Sequence, residues 1–135
     1  MTDRETVLVA DDDEAVAQLL QTILEERAAV TVVAVHSGRD ALQKAWELRP
    51  ALILLDLALP DIDGLEVATH LKSNPTTSHI PVLVVSALPV ARKRALCVGC
   101  EDTLEKPFDV DELVAKVRRH LEARLDSRPI YPAAA

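Results

Sequence analysis

Five short apolar runs punctuate the chain: Val7–Ala10, Val30–Val35, Ala51–Leu55, Val82–Val85 and the brief Thr103-Leu104. The first four are rich in Val, Ile or Leu without strict alternation, the pattern of strands buried on both faces of a parallel sheet. Between the runs, apolar residues recur at helical spacing. Val16, Leu19, Leu20, Ile23 and Leu24 form one such stripe, and Val110, Leu113, Val117 and Leu121 another. Ala41, Ala45 and Leu48, then Leu65, Ala68 and Leu71, mark two shorter helices, and a less regular one falls around Val90–Val98. Ser37 with Asp40 three residues on is a helix start. Pro50, Pro60, Pro75, Pro81, Pro89 and Pro107 all fall at element edges, where a missing N–H is tolerated. No repeat or low-complexity segment appears.

Strand and helix therefore alternate, which predicts an α/β fold: an open parallel sheet with helices on both faces. Five strands with right-handed crossovers favour the order 2-1-3-4-5, the flavodoxin-like doubly wound arrangement with five helices. Such sheets bind ligands beyond the strand C-termini, at the switch point between the first and third strands. The residues at those ends are Asp11 and Asp12 after the first strand, Asp56 after the third, Ser86 after the fourth and Lys106 after the fifth. Three carboxylates, a hydroxyl and an ammonium converge on one edge.

Composition narrows the options. The chain has 135 residues, enough to bury a real core, with 22 acidic and 15 basic residues for a net charge of −7. That charge argues against nucleic acid as a partner, and the one basic cluster, Arg92-Lys93-Arg94, reads as a solvated helix face. No apolar stretch is long enough to span a membrane. The start, Met1 to Glu5, is too polar for a signal peptide, so the expected compartment is the cytoplasm. Cys97 and Cys100 are spaced C-x-x-C, but they fall at a helix end around Gly99, where the dipole disfavours a thiolate. They read as two small buried hydrophobes. His36, His70, His79 and His120 are scattered, with no zinc-ligand spacing.

Carboxylates this close cannot all stay ionised unaided. Each pair at ~4 Å repels by roughly 4 kcal/mol at an effective dielectric of about 20. A hard divalent cation removes that strain, and Mg²⁺ suits one or two carboxylates plus waters and a phosphate. Asp13 and Glu14 fall in the first turn of the following helix, where negative charge complements the dipole. A carboxylate beside Mg²⁺ and a lysine is a feasible nucleophile for phosphoryl transfer. Lys106 would bind a phosphoryl oxygen, and Ser86 would donate to the group once it arrives.

The stretches "VLVADDDEA", "LILLDLALPDIDG", "IPVLVVSAL" and "VGCEDTLEKPF" together resemble the response-regulator receiver domain, from about Val7 to Leu125. The resemblance implies that Asp56 is the phosphoacceptor, supplied by a histidine kinase or a histidine phosphotransfer protein. It implies Asp11 and Asp12 as the acidic pair, Asp12 the more direct Mg²⁺ ligand, with the backbone carbonyl of Ala58 completing the protein's share. Ser86 resembles the family's switch hydroxyl and Lys106 its lysine. The Lys106-Pro107 bond is expected to be cis, and Pro60 and Gly64 fit the loop after the acceptor. Ala15, Gln18, Leu19 and Thr22 on the first helix are where a kinase would dock. One position departs from the family: Thr103 stands where an aromatic residue is usual, and of the aromatic residues Trp46, Phe108 and Tyr131 none is an obvious substitute. The downstream protein target is open.

Residues 1–125 are read as the domain and 126–135, "DSRPIYPAAA", as a tail or the start of a linker, leaving no room after about Leu125 for an output domain. Whether the chain stands alone or is part of a longer one stays open. Two other readings are kept. The D-x-D in Asp11–Asp13 resembles the start of a haloacid-dehalogenase-type phosphatase, with Asp11 as nucleophile and Asp13 as general acid. A receiver-like interaction module that signals without phosphate is the third.

Overall fold

The computed structural model describes residues 4–87 and 91–126; Leu88, Pro89, Val90 and the expected tail from Ser127 lie outside the described residues. Strands β1 (Thr6–Ala10), β2 (Thr31–Val35), β3 (Leu52–Asp56), β4 (Val82–Ser86) and β5 (Asp102–Glu105) alternate with helices α1 (Glu14–Arg27), α2 (Gly38–Leu48), α3 (Gly64–Ser73), α4 (Ala91–Cys97) and α5 (Val110–Asp126). The sheet order is β2-β1-β3-β4-β5, every pairing parallel. The expected α/β, flavodoxin-like topology is the observed one. Among the described residues no helix is long and apolar enough to cross a membrane.

Side chains of a strand alternate between faces, and here both faces are covered. Val7, Val9, Leu52, Leu54, Leu83 and Val85 pack with Leu20 and Leu24 of α1 and Leu113 and Val117 of α5. Leu8, Ala10, Ile53, Leu55, Val82 and Val84 pack with residues of α2 and α3 and with Ala95 of α4. Every residue of β3 and β4 is buried, which is why those strands read as unbroken apolar runs.

Ser37 caps α2 as expected, its Oγ accepting from Asp40 N at 3.1 Å. Some residues of the predicted stripes face outward. Leu19 (52% exposed), Leu48 and Val110 are on the surface, while Ala17 and Val114 are buried instead. Packing sets the inward face of α1 along Ala17, Leu20, Ile23 and Leu24, and at about 100° per residue Leu19 falls outside that arc. The two cysteines also part: Cys100 is buried, its thiol pushed up to about 11 by burial and then by the Glu101 carboxylate, but Cys97 is exposed on α4.

Two polar ties hold the sheet's far edge. Lys72 Nζ on α3 donates to the carbonyls of Ser78 (3.2 Å) and Ile80 (2.7 Å) and pairs with Glu101 (2.8 Å), whose other oxygen accepts from Val82 N. On β5, Asp102 faces Lys116 (3.1 Å), Arg119 (2.7 Å) and His120 (3.0 Å) of α5. Burial raises the Asp102 carboxyl, but hydrogen bonds from His120, Thr103 N–H and Lys116 outweigh it and bring it down to about 2. A carboxyl depressed on folding adds stability above its unfolded pKa of about 3.9 and loses it as pH falls through the folded value. The melting-temperature difference between the protein and Asp102→Asn should thus be full at about pH 5 and shrink as the pH falls through about 2. A difference that does not shrink over that window would refute the assignment.

Candidate functional site

The register of the sheet places the site. Ala10 pairs with Leu55, so Asp11, just past β1, and Asp56, the last residue of β3, stand side by side at the sheet's edge. Ser86 ends β4 on the other side of β3, and Lys106 follows β5. Asp11, Asp56 and Ser86 are 2%, 7% and 6% exposed, whereas Asp12 is on the surface. One oxygen each of Asp11, Asp12 and Asp56 lies within 4.8 Å of the others.

Each buried carboxylate is held from two sides. Asp11 Oδ1 accepts from Asp13 N at 2.9 Å, and Asp56 Oδ1 accepts from Ala58 N at 3.0 Å. Their Oδ2 atoms share a single cation: Lys106 Nζ is 3.1 Å from both. Burial raises the Asp11 carboxyl, opposed by the Asp13 N–H and by Lys106, and the Asp56 charge adds to the rise. Burial works to lower the Lys106 ammonium, but its bonds to Asp11 and Asp56 prevail and raise it. One cation is thus shared by two buried anions, with an exposed third beside them. The set is made of hard oxygen donors with its Asp12 side open to water, which fits a divalent cation such as Mg²⁺.

The loops are shaped for these contacts. Asp13 is the N-cap of α1 and not part of its first turn; its Oδ1 accepts from Ala15 N (2.9 Å) and Val16 N (3.3 Å). His36, after β2, donates from Nδ1 to the Asp11 carbonyl at 3.0 Å, since a carbonyl can only accept. A Cβ on Gly64 would stand 2.5 Å from Leu57 Cα and 2.6 Å from the Asp56 carbonyl oxygen, so only glycine lets α3 start this close to the acceptor strand. The Lys106-Pro107 bond is cis, as expected. Thr103 is half-buried on β5, and its carbonyl accepts from Lys116 Nζ at 2.8 Å. Of the five residues expected at the strand ends, Asp11, Asp12, Asp56 and Lys106 meet, and Ser86 ends the neighbouring strand with its carbonyl accepting from Lys106 N at 2.8 Å. Asp61, in the same loop, was not singled out; it accepts from two N–H groups of α2. The only hint of it in the sequence is a second aspartate in "DIDG", one more than the N-cap Asp63 of α3 requires.

A family model for the response regulator receiver domain matches residues 7–118. The chain belongs to the response-regulator receiver family. It is 38% identical over 125 residues to the DNA-binding dual master transcriptional regulator RpaA of Synechocystis sp., covering 91% of this chain and 51% of that protein. It is also 38% identical over 130 residues to the DNA-binding response regulator MtrA of Mycobacterium tuberculosis, covering 95% and 55%. This receiver thus spans about half the length of these relatives. Among solved structures it resembles a response regulator from Chloroflexus aurantiacus (TM-score 0.84, 32% identity, 89% of this chain and 99% of that one). It also resembles the receiver domain of the sensor histidine kinase PA1611 from Pseudomonas aeruginosa, which has a magnesium ion coordinated in its active site cleft (TM-score 0.80, 25% identity, 88% and 98%). The domain is a receiver of two-component signalling.

Two readings change. The expectation that nucleic acid is no partner is overturned by relatives that are DNA-binding response regulators. The charge of −7 describes this chain's own surface and does not bear on the remaining half of such proteins. The phosphatase alternative loses its family, since the matching family model is that of the receiver domain.

Gly64→Ala should lower stability by about 1–3 kcal/mol through backbone overpacking, measured by denaturant unfolding. A loss under about 0.5 kcal/mol would show that the loop yields easily.

Proposed function

We propose that this receiver accepts a phosphoryl group on Asp56 from the phosphohistidine of a histidine kinase or histidine phosphotransfer protein. The observation that carries the reading is Asp56 itself: a buried carboxylate at the switch point, 3.1 Å from Lys106 Nζ and beside the Asp11–Asp12 pair. An Asp56 oxygen forms the new P–O bond as the P–N bond of the donor breaks, and the imidazole leaves with the bonding pair. Asp11, Asp12 and Asp56, with the carbonyl of Ala58, would hold Mg²⁺. Bound there, the metal neutralises charge on the phosphoryl oxygens.

The chain's own groups do the rest. The Lys106 ammonium, already aimed at Asp56, gives one phosphoryl oxygen a charge-assisted hydrogen bond. The Ser86 hydroxyl donates to another once the group is attached. Burial of Asp56 limits access of water to the acyl phosphate. The donor would dock on α1, where Ala15, Gln18, Leu19 and Thr22 are all exposed, and the outward Leu19 offers an apolar contact. The setting is the cytoplasm. Thr103 lacks the ring that would report the Ser86 movement on β5, and its β-branched side chain is stiff. The response to phosphorylation is therefore carried mainly by the site's loops and α1. The named relatives support reading the whole protein as a DNA-binding regulator controlled by this domain.

With acetyl phosphate and Mg²⁺, intact mass should show one phosphoryl addition, absent in Asp56→Asn; a full adduct in that variant would sink the assignment. Mg²⁺ should also raise thermal stability, because it relieves carboxylate repulsion only in the folded state. At a hundredfold excess over Kd the gain is about 2.7 kcal/mol. Asp12→Ala should lose most of that gain; equal shifts in both proteins at saturating Mg²⁺ would contradict the metal role of Asp12.

A further inference from the structure

The loop from Leu57 to Asp63 joins Asp56 to α3, and most of its hydrogen bonds are local. Gly64 N donates to the Leu57 carbonyl (3.1 Å), Ala58 N to Asp56 (3.0 Å) and Leu65 N to Asp63 (2.8 Å). Asp61 reaches further. Its Oδ1 accepts from Gly38 N at 2.7 Å and its Oδ2 from Arg39 N at 3.0 Å, both at the start of α2. The approach is close: a Cβ on Gly38 would stand 2.9 Å from Ile62 Cβ and 3.0 Å from Val67 Cγ2.

This contact is more than a helix cap. The first N–H groups of a helix have no partner within it. Ser37 already caps α2 by accepting from Asp40 N. Asp61 takes the two preceding N–H groups, and does so from another segment of the chain. The Gly38 N–H and then the Arg39 N–H hold its carboxyl below the usual range, so it stays ionised. α2 is itself anchored by buried Ala41 and Ala45 in the core that includes Leu8 and Ala10 of β1. The acceptor loop is thereby fastened to the same body that carries Asp11 and Asp12.

We propose that Asp61 is a positioning residue: by binding the first two N–H groups of α2 it fixes the loop so that Ala58 and Asp56 meet the Asp11–Asp12 pair in a geometry that takes up Mg²⁺. This rests on the metal role given above. Without the tie, part of the Mg²⁺ binding free energy goes into ordering the loop.

Calorimetric Mg²⁺ titration and thermal unfolding of the full chain test it. Asp61→Ala should raise the Mg²⁺ Kd about fivefold, the scale of one or two charge-assisted bonds at an exposed site. Asp61→Asn should fall between, since its one carbonyl oxygen replaces one of the two acceptors. Gly38→Ala, which wedges the loop away from the other side, should reproduce Asp61→Ala. Ser37→Ala removes the helix cap without touching the loop; it should lower the melting temperature but leave Kd within about twofold. Wild-type affinity in Asp61→Ala, or an equal loss in Ser37→Ala, overturns the proposal while leaving the phosphoacceptor reading intact. A wild-type protein that binds no Mg²⁺ overturns both.

Discussion

A single ammonium group stands between two buried carboxylates. Lys106 Nζ bridges Asp11 and Asp56, residues 95 and 50 positions away in the chain. Without it, two negative charges at ~4 Å would oppose each other by roughly 4 kcal/mol at an effective dielectric of about 20. Removing one partner from a buried ion pair costs about 3–5 kcal/mol, because the remaining charge stays desolvated. The arrangement depends on strand order, since only β1, β3 and β5 ending at the same edge can bring these groups together. Strand order depends in turn on the two apolar layers, which leave no alternative face for β3 or β4 to expose.

That dependence explains what the sequence reveals. Strands buried on both faces must be continuously apolar, so Val7–Ala10, Ala51–Leu55 and Val82–Val85 stand out, and the residues ending them stand out too. The sheet order and the meeting of Asp11, Asp12, Asp56, Ser86 and Lys106 follow from those runs and the handedness of crossovers. Ser37 was legible because a cap is a local interaction. Leu19, Leu48 and Val110 were misplaced because helical spacing leaves the phase of a short stripe uncertain by one residue, and only packing against the sheet fixes it; Cys97 was read as buried along with Cys100, but it is exposed on α4. Asp61 and the Lys72–Glu101 pair were missed for a different reason. Each joins segments far apart in the chain, and an isolated Asp, Lys or Glu carries no mark of the partner it will meet.

Charge misled in one respect. A net charge describes the surface that carries it, and an acidic receiver is compatible with a regulator that binds DNA elsewhere along its length. On β5 the contrast with the family is local. The half-buried Thr103 side chain is small, and the strand is linked to α5 through its backbone carbonyl and through Asp102, by Lys116, Arg119 and His120. These bonds fasten the two elements together.

The central claim is that the carboxylates at the ends of β1 and β3 form one cation site around an acceptor aspartate. A crystal structure of the protein grown with Mn²⁺ and beryllofluoride, with the metal located by anomalous scattering, tests it most directly. The expected result is one metal peak held by Asp11, Asp12, Asp56 and the Ala58 carbonyl, the beryllofluoride on Asp56, and Lys106 and Ser86 turned to its fluorines. A metal bound away from Asp56, or beryllofluoride on another carboxylate, would contradict it.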